Sequence, residues 1–127
     1  MNNNLPVAMQ GVVTSFKGNG RKLGYPTANI HSDTDLPDGV YFGFADLADY
    51  IHHPALIFIG TPTTLGDTDR RVEAYLLDIE DKDYYDLPIK LSVEKFHRSN
   101  QTFKSIDELL VVMKADEVAG RAWAHLI

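Results

Sequence analysis

The segment KGNGRKLGYPTANI, residues 17–30, combines residue types that suit a phosphorylated ligand. Glycines let a backbone approach an anion and adopt positive φ, arginine and lysine supply positive charge, and proline stiffens the end of the loop. The segment is neither a P-loop nor a dinucleotide fingerprint, since Tyr25 follows Gly24 and Leu23 stands where a third glycine is needed. A solvated basic turn before an edge strand is the alternative. The candidate nucleotide-binding residues are Gly18, Gly20, Arg21, Lys22, Gly24, Pro26 and Thr27.

Thr27 and Asn29 bring two uncharged side-chain oxygens to the end of this segment. They are two residues apart, so on an extended backbone both side chains point to the same side. Mg²⁺ prefers hard oxygen ligands beside phosphates and uses few protein side chains. The pair is therefore the candidate metal site.

Glu73 stands out in the strand-like run RRVEAYLLDI, residues 70–79. Alternation places Glu73 on one face with Tyr75, Leu77 and Ile79, opposite a purely apolar face. A carboxylate on a buried apolar face must be paired, have a shifted pKa or serve a function, for instance as a general base for a hydroxyl. The alternative is a glutamate at the mouth of a strand, paired with Arg70 or Arg71.

The elements that must position these residues are mostly strands. Alternating or apolar runs predict strands over 6–16, 39–47, 53–60, 70–79 and 88–96. A helix is predicted from Ser105, which forms a capping-box pattern with Glu108, and Gly120 should weaken it near its end. Because strands and helices do not alternate, the pattern favours an antiparallel β-barrel with one C-terminal helix rather than a parallel sheet.

The composition sets further limits. The chain has 127 residues, a length that predicts one domain over residues 1–127. Its net charge of −6 argues against nucleic-acid binding, and the absence of cysteine excludes disulfides and thiol catalysis. No apolar run approaches the about 20 residues of a membrane span, and the first residues lack a signal-peptide pattern. We expect a cytoplasmic monomer that does not bind membranes.

Four motifs occur in an order that resembles the riboflavin kinase family, including the kinase half of bifunctional bacterial FAD synthetases. They are GRKLGYPTANI (20–30), PDGVY (37–41), VEAYLLD (72–78) and TFKSIDELL (102–110). The resemblance implies a six-stranded antiparallel Greek-key barrel with a C-terminal helix. It also implies transfer of the ATP γ-phosphoryl group to the 5′-hydroxyl of riboflavin, which gives FMN and ADP.

The same resemblance assigns roles to individual residues. Thr27 and Asn29 would meet Mg²⁺ and the phosphates, and the glycine-rich loop would cover the nucleotide. Glu73 would be the base that takes the proton of the ribityl hydroxyl. Arg98 and Phe103, in the flap FHRSNQTF over residues 96–103, would lie at the flavin.

Three stretches depart from the family pattern. The segment FIGTPTTLG (58–66) has Phe58 in place of the usual Asn, Thr63-Thr64 in place of Pro-Thr and Leu65 in place of Phe. The flap has Asn100 in place of Glu and Thr102 in place of Lys, and Phe16 replaces a small residue before the glycine-rich loop. These changes leave open a non-catalytic flavin- or nucleotide-binding module, with a ligand-free structural barrel ranked last. The adenylylating domain that bacterial relatives often carry is not in this sequence, so a monofunctional kinase is favoured over a domain of a larger protein.

Overall fold

A computed structural model describes residues 5–14, 27–61, 69–80 and 82–126. Most of the glycine-rich segment and part of the departing stretch at 58–66 lie outside these ranges. The predicted nucleotide-binding residues outside the described part are Gly18, Gly20, Arg21, Lys22, Gly24 and Pro26.

Within these ranges, six antiparallel strands close into a barrel in the order β1-β2-β5-β4-β3-β6, and one helix follows them. The predicted barrel with a C-terminal helix is therefore confirmed. The short strand after the glycine-rich segment is paired on both sides, to β1 and to β5, and so is not an edge strand. The elements are β1 (Val7–Thr14), β2 (Ala28–Ile30), β3 (Gly39–Leu47), β4 (Tyr50–Gly60), β5 (Arg71–Leu76), β6 (Pro88–Arg98) and α1 (Ile106–Leu126).

The barrel interior is filled by apolar side chains from alternate positions of the strands. Branched and aromatic residues suit this half-buried, pleated surface, and the largest completely enclosed side chain is Tyr41. Burying these groups removes apolar surface from water and is the main force that holds the barrel closed. The core includes Val13, Ile30, Tyr41, Ile57, Ile59, Val72, Ala74, Leu76, Ile89, Leu91 and Val93.

The helix covers part of the outer surface of the barrel. Phe42, Leu56 and Leu77 form a second buried cluster there, against which Trp123 packs. The helix continues through Gly120, where we expected weakness, because the absence of a side chain allows close approach. A Cβ on Gly120 would lie 2.6 Å from Leu56 Cδ2.

Several strand boundaries differ from the prediction, and β6 continues two residues beyond it, to Arg98. β4 starts at Tyr50, three residues early, because a hairpin turn with positive φ at Ala48 joins it to β3 and an irregularity with positive φ at His52 keeps the strands paired. β5 ends at Leu76, and positive φ at Asp78 turns the chain. As a result Ile79 packs against the barrel core, not on the face of Glu73 where alternation had placed it.

Candidate active site

β2 and β5 bring Thr27, Asn29 and Glu73 together, although 44 positions separate Asn29 from Glu73. Asn29 and Glu73 are direct cross-strand partners, so their side chains share the outer face of the barrel. The Thr27 hydroxyl donates a 2.8 Å hydrogen bond to Glu73 Oε1. Thr27 and Asn29 are only 7% and 5% exposed, whereas Glu73 is half-buried.

The hydrogen-bonding capacity of the Asn29 side-chain oxygen is not satisfied by the described residues. Its Oδ1 is buried and has no hydrogen-bond partner among the described residues. Leaving a buried acceptor unpaired costs about 1–3 kcal/mol, so native proteins usually reserve such atoms for a ligand, an ion or a water. The donor set of amide, hydroxyl and carboxylate oxygens is the set that a hard cation prefers, and the residues therefore fit Mg²⁺.

Of the two alternative partners of Glu73, Arg70 is not the one the structure shows, while a pairing with Arg71 stays a prediction. Arg70 Nε donates to Asp38 Oδ1 over 2.7 Å, and its terminal nitrogens donate to the carbonyls of Thr34 and Leu36. Arg70 thus holds the loop before β3. The carboxylate of Glu73 stays beside Thr27 and Asn29.

Phe58 flanks Glu73 on the side opposite to Asn29. It is the cross-strand partner of Glu73 on β4 and packs, half-buried, beside the cluster of Phe42, Leu56 and Leu77. The side chain that departs from the family pattern therefore forms an apolar wall beside the carboxylate. The sequence identified the departure but not this neighbour.

A row of cross-strand partners runs from Glu73 through Phe58 and Val40 to Arg98. In the closed barrel β5 and β6 are three strands apart in either direction, so the row passes half-way round the barrel between Glu73 and Arg98. Phe103, the other predicted flavin contact, is half-buried in the segment between β6 and α1.

The flap also contacts the end of β4. Asn100 Nδ2 donates a 2.8 Å hydrogen bond to the carbonyl of Ile59, next to Gly60 with its φ of 149°. A Cβ on Gly60 would lie 2.3 Å from Asn100 Nδ2. Asn100, which stands where relatives have Glu, thus ties the flap to the start of the departing 58–66 stretch.

Residues 3–124 match the Flavokinase family model, which is described as riboflavin kinase. The chain belongs to the riboflavin kinase family. The resemblance stated from the motifs is therefore confirmed, and it extends over nearly the whole sequence.

Individual relatives agree with the family match. The chain is 32% identical over 123 residues to the trifunctional protein RibF/MnmA of Mycoplasmoides gallisepticum, covering 94% of this chain and 18% of that protein. It is 29% identical over 134 residues to riboflavin kinase of Pyricularia oryzae, covering 87% of this chain and 67% of the relative. The crystal structure of riboflavin kinase from Trypanosoma brucei superimposes with a TM-score of 0.70 at 25% identity, covering 93% of this chain and 76% of that one.

Tyr75 lies on the same face of β5 as Glu73. Burial and the nearby Glu117 carboxylate raise the pKa of Tyr75, so its phenol stays neutral at physiological pH.

No helix in the described ranges has the length and hydropathy needed to cross a membrane.

Asp116 is the buried charged residue near the site that sequence reasoning missed. It is 1% exposed and faces Arg98. Its neighbour Glu117 is also buried, and two adjacent acidic residues on a helix normally indicate a solvated face. Asp116 is three residues before Ala119 and seven before Trp123. A strict count of the helical period could therefore have suggested that Asp116 lies on the face of the helix that packs on the barrel.

Proposed function

We propose that the chain is a riboflavin kinase that transfers the γ-phosphoryl group of ATP to the 5′-hydroxyl of riboflavin, giving FMN and ADP. The observation that carries the proposal is the Glu73 carboxylate, held by the Thr27 hydroxyl and placed beside the unpaired Asn29 oxygen. Family membership supplies the substrate class. The proposal covers residues 1–127 as one kinase domain, acting as a cytoplasmic monomer.

Glu73 is proposed as the general base. A carboxylate oxygen accepts the proton of the ribityl 5′-hydroxyl as that oxygen forms a bond to the γ-phosphorus, and the bond from phosphorus to the β,γ-bridging oxygen breaks. The electron pair leaves with ADP. Phosphoryl transfer needs mainly positioning and charge stabilisation, so a correctly placed weak base suffices. The Thr27 hydrogen bond fixes the orientation of the carboxylate.

Thr27 and Asn29 are proposed to hold Mg²⁺ together with the ATP phosphates. The buried, unpaired Asn29 oxygen supports this role. A bound Mg²⁺ neutralises charge on the phosphates. The Thr27 hydroxyl can offer its oxygen to a cation while its hydrogen stays bonded to Glu73, so one side chain connects the metal ligands with the base.

The remaining contacts are assigned by substrate. The glycine-rich loop with Arg21 and Lys22 is proposed to cover the nucleotide, because glycine backbone and cations suit phosphates. Arg98 and Phe103 are proposed to lie at the flavin. The family resemblance of the flap supports this assignment, and the Arg98 side chain is 22% exposed and so accessible to a ligand.

The test mixes the purified chain with riboflavin, ATP and Mg²⁺ and separates riboflavin from FMN by chromatography, with a chelator in the control. We expect FMN to accumulate with equimolar ADP, and to stop on chelation. Unchanged riboflavin, with flavin fluorescence still reporting binding, would identify a non-catalytic binding module. If the chain neither forms FMN nor binds flavin, only the interpretation as a structural barrel remains.

A further inference from the structure

A bulge in β6 directs two consecutive side chains toward the helix. Tyr41 pairs with Phe96 and Val40 pairs with Arg98, so His97 is an extra residue without a partner position on β3. Bulges of this kind change the direction of side chains and are frequent beside active sites. Here Phe96 meets the ring of Tyr41 edge-on, at 5.3 Å between centroids, while His97 and Arg98 both reach Asp116 of α1.

The contact of Arg98 with Asp116 is a two-bond pair. Arg98 Nε donates to Asp116 Oδ1 over 2.8 Å and Nη2 donates to Oδ2 over 2.7 Å. His97 Nε2 lies 3.2 Å from Oδ1, and its ring stacks on Phe42 at 4.5 Å. A bidentate pair fixes the plane of the guanidinium as well as its position. A carboxylate as buried as Asp116 is tolerated only because both of its oxygens are satisfied.

Arg98 keeps donor capacity for a ligand. A guanidinium has five N–H groups. Within the described residues, Asp116 accepts two of them and the Ser99 carbonyl accepts a third, from Nη1 at 3.0 Å. The Arg98 side chain is 22% exposed, so it is held rigidly without being sealed from solvent.

We infer that Asp116 is a positioning residue for the riboflavin end of the site. It holds the Arg98 guanidinium, and with it the start of the flap, in one orientation. The inference rests on the proposed function, because that function assigns Arg98 to the flavin. It predicts that loss of the Asp116 carboxylate weakens riboflavin binding and leaves ATP binding intact.

A second ionic contact on the same helix provides a matched control. Arg121 donates to both carboxylate oxygens of Asp78 over 2.6 and 2.8 Å, and also pairs with Glu117. This contact attaches α1 to the turn after β5, away from the flap. Asp78→Asn therefore breaks a two-bond arginine pair between helix and barrel without touching Arg98, and asparagine tolerates the positive φ of that position.

The test compares D116N, R98K, the D116N/R98K double variant and D78N with the wild type. For D116N and R98K we expect the KM for riboflavin to rise on the order of tenfold while the KM for ATP changes by less than about twofold. The double variant should be no worse than R98K, since Asp116 acts through Arg98. D78N should keep both KM values.

Three results would overturn the inference. They are an unchanged riboflavin KM in D116N, an equal rise in both KM values, and additive effects in the double variant. Circular dichroism checks folding. If D116N does not fold, D116E replaces it, because glutamate keeps the charge that pairs with Arg98 but displaces the carboxylate by one methylene and so disturbs the two parallel hydrogen bonds.

Riboflavin dissociation constants, measured by quenching of flavin fluorescence, separate this inference from the proposed function. A wild type that binds riboflavin without making FMN contradicts the kinase. The ratio of dissociation constants between D116N and the wild type then still decides the role of Asp116. A ratio on the order of ten supports it, and a ratio of about one contradicts it.

Discussion

The Thr27 hydroxyl donates a 2.8 Å hydrogen bond to Oε1 of Glu73. This bond joins the end of the glycine-rich segment to the strand that carries the proposed base. It crosses 46 positions of sequence, and it exists because β2 inserts between β1 and β5. A short strand of three residues thus assembles the site.

Asn29→Leu should separate stability from function. The substitution removes a buried oxygen that no described residue satisfies. We expect the free energy of unfolding without metal to stay unchanged or rise by about 1 kcal/mol, while the dissociation constant for Mn²⁺ in the presence of ADP rises on the order of tenfold or more. Urea denaturation and a Mn²⁺ titration in the presence of ADP, followed by electron paramagnetic resonance, measure the two effects.

Asn100→Leu is the control for that pair of measurements. Its amide donates to the Ile59 carbonyl, so its loss should lower stability by about 1 kcal/mol. An Asn29→Leu protein that is less stable than Asn100→Leu, or that binds Mn²⁺ as the wild type does, would contradict the assignment of the Asn29 oxygen.

Gly120→Ala should destabilise the protein although alanine is the better helix former. The new Cβ would lie 2.6 Å from Leu56 Cδ2 and 3.4 Å from two ring carbons of Phe42. Overpacking costs about 1–3 kcal/mol and the gain in helix propensity returns at most about 1 kcal/mol. We expect a net loss of stability in urea denaturation.

Ala122→Gly on the exposed face of the same helix calibrates the propensity term. It should cost about 1 kcal/mol, with no packing effect. If Gly120→Ala instead raised the unfolding free energy by the amount that Ala122→Gly loses, close packing at Gly120 would play no part.

Asp78→Asn should have an effect that depends on pH. The hydrogen bonds from Arg121 lower the pKa of Asp78 below its ordinary value of 3.8. A lowered folded-state pKa means that the ionised form stabilises the fold above the unfolded-state pKa, and that this contribution disappears as pH falls through the folded-state pKa. The pair is largely exposed, so the stabilisation at neutral pH is modest.

The comparison of unfolding free energies for the wild type and Asp78→Asn should therefore show a difference at neutral pH that disappears in acid, as the pH falls through the lowered folded-state pKa of Asp78. Glu80→Gln, at an exposed position two residues further along the chain, serves as the control and should show no such trend. A difference that persists unchanged in acid would mean that the Asp78 charge is not its cause.

The fold could be predicted because the strand patterns and the helix-capping pattern both agreed with one architecture. Alternating runs gave five of the strands, and Ser105 with Glu108 gave the start of the helix, where the Glu108 amide donates to Ser105 Oγ over 3.2 Å. That Asn29 and Glu73 belong to one site was implied only by the family resemblance. Spacing along the chain contains no information on which strands become neighbours in a barrel.

The start of β4 and the bulge in β6 depended on backbone conformations that residue types do not signal. Positive φ at Ala48 and His52 has no glycine to announce it, so the start of β4 was missed. The bulge at His97 has no signal in the residue types, and it turns His97 and Arg98 toward Asp116. Since Asp116 carries a charge, its burial is intelligible only once its partners are known.

The most direct test of the account is the turnover of Glu73→Gln. Glutamine keeps an oxygen that can accept the Thr27 hydrogen bond but cannot take a proton from the ribityl hydroxyl. With riboflavin, ATP and Mg²⁺, we expect kcat for FMN formation to fall about 10²- to 10⁴-fold while both KM values stay close to those of the wild type. Glu94→Gln, on β6, should keep full turnover. If Glu73→Gln forms FMN at the wild-type rate, Glu73 is not the base and the proposed mechanism is wrong.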